Sequence, residues 1–140
     1  MSHAPSPAPT PTPAIGYDAL DHVAQSLAQR LMQEAPQGPV KLLEALACCL
    51  INRMASPPLA VPGLAQPAMP WRPFSTRATA SADARLVQVC KRIARRAAHG
   101  CLADTTLGAN AYCRLSDDMP AWALGATPVS QVAGVLFYRL

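Results

Sequence analysis

The chain has 140 residues, room for one domain with a single modest core. Apolar residues make up 51% of it but aromatics only 5%, so the core must be built from Ala, Leu and Val. A net charge of +4 admits an anionic partner (nucleic acid, an anionic membrane surface or a carboxylate-bearing wall polymer) without choosing among them, and no apolar run reaches the roughly 20 residues of a membrane-spanning helix.

Five of the 15 prolines fall in residues 5–13 and six more between Pro57 and Pro73. Residues 1–15, rich in Pro, Ala, Thr and Ser, cannot bury enough apolar surface to offset chain entropy and are expected to form a disordered arm. The folded domain is then 16–140. The arm lacks a basic n-region and an apolar h-region, so it is not a Sec signal peptide. Five cysteines (Cys48, Cys49, Cys90, Cys101 and Cys113) form no CxxC pair and are expected to be free thiols in a reducing compartment.

From Asp18, a reasonable N-cap, Leu20, Val23, Ala24, Leu27 and Leu31 recur on one helix face. Pro36 and Gly38 end that helix. Pro39 suits the first turn of a second helix, whose stripe is Leu43, Leu46, Ala47, Leu50, Ile51 and Met54. Ala45, Cys48 and Cys49 widen its apolar surface, so this helix should be the buried one. A Pro-rich connector over 55–80 carries Trp71 and Phe74. Ser81 is placed to cap a third helix with Leu86, Val89, Cys90, Ile93, Ala94 and Ala97 facing inward, and Gly100 is a natural terminator. Beyond it, Thr105, Thr106, Gly108, Asn110 and Tyr112 read as turn and short strand, Pro120 to Pro128 as a loop carrying Trp122, and Val132 to Leu140 as one final strand. The class is α+β, mostly helical with a small C-terminal β portion.

Glu34 is the residue with most chemical content. It is one of two glutamates (Glu44 is the other) and ends the first helix at the mouth of a helical hairpin, beside apolar surface. Low dielectric there disfavours a charged carboxylate, which is what a general acid needs. A solvated glutamate at a helix end is the plain alternative.

Taken together, Gln33-Glu34-Ala35-Pro36-Gln37-Gly38, the helix end Leu50-Ile51-Asn52-Arg53, the run Asp104-Thr105-Thr106-Leu107-Gly108-Ala109-Asn110-Ala111-Tyr112-Cys113, Pro120-Ala121-Trp122-Ala123 and the end Phe137-Tyr138-Arg139 occur in a telling order. They resemble the motifs of the SleB/CwlJ (spore cortex-lytic) cell wall hydrolases over about residues 20–140. That family has Gly-Glu-Ala-Arg-Gly-Glu, then a helix ending Asn-Arg, then Asp-Pro-Thr-Gly-Gly-Ala-Thr-His-Tyr-His and Pro-x-Trp-Ala. The chain departs from the pattern at several positions. Gly38 replaces the second Glu, Ala111 and Cys113 replace both histidines, and the histidine near the C-terminus is Val135 or Leu136. Phe74-Ser75 stands for a Phe-Ser pair without its preceding Gln.

The resemblance implies a lysozyme-like catalytic domain that cleaves peptidoglycan glycan strands at a glycosidic bond in the manner of a lytic transglycosylase. One acid, Glu34, would protonate the glycosidic oxygen and then act as base. Asp104, Thr106, Tyr112 and Trp122 would bind substrate, in a cleft walled by the second helix and the Thr106–Tyr112 segment, with no metal or cofactor and a monomeric working unit. Without a Sec signal, such an enzyme is made in the cytoplasm and reaches the wall through a holin, a phage-like particle or lysis. The other reading is a relative that has lost catalysis and binds glycan or a protein partner.

Asp104 is the better candidate for a second carboxylate, since hydrolytic glycosidases place two about 5–9.5 Å apart; its plain role is to cap the Thr105-Thr106 turn. His99, Cys101 and Cys113 lack a fourth zinc ligand at motif spacing. Lys91, Arg92, Arg95 and Arg96 lie opposite the third helix's apolar stripe, as a solvated face or a site for wall carboxylates or nucleic-acid phosphates. No nucleic-acid-binding signature accompanies them, and nucleic acid is not the expected partner.

Overall fold

The computed structural model describes residues 17–55 and 83–140. The expected arm, the Pro-rich connector with Trp71 and Phe74-Ser75, and the Ser81 cap lie outside the described residues. Three helices are described: α1 (Tyr17–Glu34), α2 (Val40–Ala55) and α3 (Ala84–Ala98). After them come β1 (Ala111–Arg114), a short 3₁₀ turn (Ala121–Ala123), β2 (Ser130–Val132) and β3 (Val135–Tyr138). The strands make one antiparallel sheet in the order β1-β3-β2. The class is α+β, as the pattern of elements predicts. None of these helices is long and apolar enough to cross a membrane.

The apolar stripes decide the packing. α2 buries every residue from Ala45 to Leu50, so it is covered on all sides. α1 adds Leu27, Ala28, Leu31 and Met32, and α3 adds Cys90, Ile93, Ala94 and Ala97. Small residues on α3 let it lie close against α1. Fully burying Leu27, Leu31, Leu43 and Leu46 contributes about 1.5–3 kcal/mol each.

Local signals place the boundaries. α1 starts at Tyr17, so Asp18 lies inside the first turn rather than at the cap. Pro39 offers its carbonyl to the Leu42 and Leu43 amides at 3.0 and 3.2 Å and so opens α2. Gly38 sits where an added Cβ would come within 2.8 Å of the Ala35 Cβ, which ties the tight α1–α2 turn to glycine. α3 is capped by Asp83, whose carboxylate accepts from the Arg85 amide at 3.2 Å. It ends at Gly100 (φ +72°), with Cys101 N–H donating to the Arg96 carbonyl and Gly100 N–H to that of Ala97.

The C-terminal segment differs from the single strand expected over Val132–Leu140. It is a hairpin, β2 to β3, closed by Ala133 (φ +48°) and Gly134 (φ +80°). Two consecutive left-handed residues match the right-handed twist of the flanking strands. The alanine hid the turn, because Asn or Gly is the usual signal at that position.

The sheet has two unlike faces, because side chains alternate along a strand. Tyr112 and Arg114 of β1 stand opposite Phe137 and Val135 of β3, and Tyr112, Val135 and Phe137 join the helical core. Ala111 and Cys113 stand opposite Tyr138 and Leu136 on the other face. That face is covered by Trp122 and Ala123, with Trp122 edge-on to Tyr138 at 5.3 Å between ring centres.

Candidate active site at the end of helix α1

Glu34 ends α1, where an anion meets the negative end of the helix dipole. Two cations offset this. Arg30, one turn back, brings Nε to 2.9 Å from Glu34 Oε1, and Arg114 of β1 brings Nη2 to 3.9 Å from Oε2. The Glu34 side chain is 21% exposed, so one edge of the carboxylate remains open. The apolar mouth expected from the sequence is therefore, in part, a charged one.

Tyr112 reaches the same carboxylate. Burial pushes its phenol up to about 12, with the Glu34 charge adding to the rise and Arg30 opposing it. A phenol so raised stays protonated at neutral pH and donates its proton in hydrogen bonding to Glu34. Arg53, at the end of α2, completes the corner. Burial lowers its pKa, and Tyr112 and Arg30 are among the groups that act on it. Its Nε and Nη2 are buried and meet no acceptor among the described residues.

Glu34 lies on the rim of a cleft of about 570 Å³. Its walls are the α1–α2 turn (Ala35 to Pro39), Leu42, the end of β1 with Arg114 to Ser116, and the β2–β3 turn at Ala133-Gly134. The expected Thr106 wall is not part of it.

Asp104 and Thr106 do a different job. Asp104 Oδ1 accepts from the Thr106 amide at 2.8 Å and the Thr106 hydroxyl at 2.6 Å. Oδ2 accepts from Asn52 Nδ2 at 2.8 Å and the Gly108 amide at 3.1 Å. Burial alone would raise the Asp104 carboxyl; the hydrogen bonds from Thr106, Asn52 and Gly108 outweigh it and hold the group below the usual carboxylate range. Thr106 is fully buried, so it anchors the loop from within. Asn52 also donates to the Ala109 carbonyl at 3.0 Å, which ties the loop to the end of α2. Asn110 then clamps the C-terminus by exchanging two hydrogen bonds with the Leu140 backbone.

Of the residues singled out from the sequence, the fold brings Glu34 and Tyr112 together. Asp104 and Thr106 form their own centre, and Trp122 packs on the sheet face turned away from Tyr112. Arg30, Arg53 and Arg114 were not singled out as site residues. Arg30 lies four residues before Glu34 and Arg114 two residues after Tyr112, the spacings that share a helix face and a strand face. All five cysteines are free. No three His, Cys, Asp or Glu side chains gather as a metal site among the described residues.

No family model matches the sequence, and no curated protein matches it. Among the described residues the fold is three helices followed by a small antiparallel sheet, a mostly helical α+β arrangement. A particular solved structure is similar, the crystal structure of the catalytic domain of the Bacillus cereus SleB protein. It matches with a TM-score of 0.60 over 89% of this chain and 93% of that one, at 19% identity.

Proposed function

We propose that this protein cleaves a glycosidic bond of peptidoglycan, with Glu34 as the single general acid/base. The observation that carries this reading is the carboxyl of Glu34 on the rim of an open cleft, held by Arg30 and Tyr112, in a fold shared with the SleB catalytic domain. In the acid form Glu34 gives its proton to the glycosidic oxygen as the bond to the anomeric carbon breaks. The carboxylate left behind stays paired with Arg30 and accepts from Tyr112. It then takes the proton of the sugar's own C6 hydroxyl, whose oxygen closes on the anomeric carbon to leave an anhydro end. No second carboxylate is required, and Asp104 has its oxygens committed to its own loop.

The family's histidine positions bear on this proposal. Ala111 and Cys113 lie on the Trp122 face of the sheet, whereas Tyr112 between them faces Glu34. Histidines at 111 and 113 would point away from the acid, so their replacement leaves its surroundings intact. The second reading, a binder of glycan or of a protein that does not cleave, is favoured by Gly38. A Cβ there would come within 2.8 Å of the Ala35 Cβ, so position 38 does not accept the glutamate that the resembling family carries.

The test is loss of turbidity of purified murein with the wild type and Glu34→Gln. Cleavage by the wild type alone, with anhydro ends in the product mass spectrum, is expected. Reducing ends would make the enzyme a hydrolase. A wild type inactive on every murein would leave the binding reading.

A further inference from the structure

Helix α3 carries five of the chain's 12 cations (Arg85, Lys91, Arg92, Arg95 and Arg96) and none of its eight acids. Everything outside α3 therefore holds seven cations against eight acids, so the chain's positive charge resides on this one helix. All five side chains are exposed, and none makes an ion pair among the described residues. At about 100° per residue they fall within an arc of roughly 140°, centred opposite the buried stripe of Cys90, Ile93, Ala94 and Ala97. They run over roughly 16 Å of helix.

Folding does not explain this arrangement. Lys91 and Arg95, and again Arg92 and Arg96, are like charges at i, i+4, which destabilises a helix by a few tenths of a kcal/mol per pair, about 0.2–0.5. Favourable interaction with the helix dipole covers only Arg95 and Arg96 in the last turn. Lys91 and Arg95 also line a groove of about 520 Å³ between α3 and α1, with Asp21, Gln25, Gln29 and Met32 of α1. The groove sets two cations and the Gln25 amide beside a single carboxylate, Asp21, so cations outnumber acids along it.

We propose that the exposed face of α3 and the α1–α3 groove beside it form a docking surface for a polycarboxylate, the stem-peptide and lactyl carboxylates of the wall polymer. This rests on the peptidoglycan reading above and adds to it a second contact, separate from the cleft at Glu34. A surface of unpaired cations holds an insoluble polyanion through many weak contacts, each screened by salt. It keeps the enzyme on the wall while the cleft engages one strand at a time.

The test is co-sedimentation with purified murein sacculi, carried out in a Glu34→Gln background so that nothing is digested. Lys91→Gln with Arg95→Gln is compared with Lys41→Gln with Arg139→Gln, two exposed cations elsewhere, so that net charge is equal in both. The α3 pair should weaken binding at least tenfold at low salt while the control pair changes it little. Amidating the murein carboxyls should have the same effect as the α3 pair, and added salt should release the protein. Equal binding by the two pairs, or full binding to amidated murein, would overturn the proposal. Displacement by a short DNA duplex at equal charge concentration would assign the face to nucleic acid and overturn it too. With Glu34 restored, the α3 pair should still cleave short soluble glycan fragments at the wild-type rate. Failure of the catalytic reading would show there, and failure of docking in the pellet.

Discussion

Two carboxylates in this molecule lead opposite lives. Asp104 accepts four hydrogen bonds, three of them from its own loop, and its partners are fixed by backbone and by the buried Thr106. Glu34 is held by long side chains, Arg30, Arg114 and Tyr112, and keeps an open edge on a cleft. A carboxylate saturated by its own loop stabilises a fold. One held only by side chains can exchange partners and hand over a proton. The sequence resemblance does not separate these roles, since both residues fall within the stretches that carry it.

The contrast is open to experiment. The largest effect expected is on Glu34: Glu34→Gln should lower murein cleavage by about 10²–10⁴ with a nearly unchanged thermal midpoint, whereas Glu44→Gln should cost far less. Asp104→Ala should reverse the pattern. Loss of charge-assisted hydrogen bonds from a partly exposed group should cost about 1–3 kcal/mol in denaturant unfolding, and activity measured on the folded fraction should fall only modestly. A large activity loss in Asp104→Ala without destabilisation would break the comparison.

The pH dependence sharpens it. Asp104 is depressed in the folded state relative to about 3.9 when unfolded. Its contribution is therefore fully present above about pH 4 and lost as pH falls through the lower folded value. The stability gap between wild type and Asp104→Ala should be constant near neutrality and close in acid. A gap that widened in acid would contradict the assignment.

The smallest effect concerns the same loop. Leu107 stands at φ +58°, where a branched L-residue costs roughly 1–2 kcal/mol and where the resembling family has glycine. Leu107→Gly should raise stability by about 1 kcal/mol, less the unfolded-state entropy that glycine adds. An exposed side chain is lost there, so cleavage should be unaffected.

Much of the helical part was legible. The stripe from Leu20 to Leu31, the all-round apolar α2 and the Cys90–Ala97 stripe each gave period and burial together, and Gly100 marked its terminator. The hairpin was not, because Ala133 occupies a left-handed position that alanine seldom signals. The cap that α3 shows is Asp83, a good cap by residue type, while Ser81 lies outside the described residues.

By itself the sequence determined the class of fold, the burial of α2, and Glu34 as the acid worth testing, because these follow from local periodicity, turn residues and one motif. Tertiary structure decided which residues share a site. Arg30 and Arg114 are 84 positions apart and meet on Glu34 only because the fold brings the end of β1 to the end of α1. Trp122 and Tyr112 lie ten positions apart yet fall on opposite sheet faces, since strand pairing sets the face each side chain takes. Contacts of that kind depend on register and crossing geometry, which no local pattern encodes.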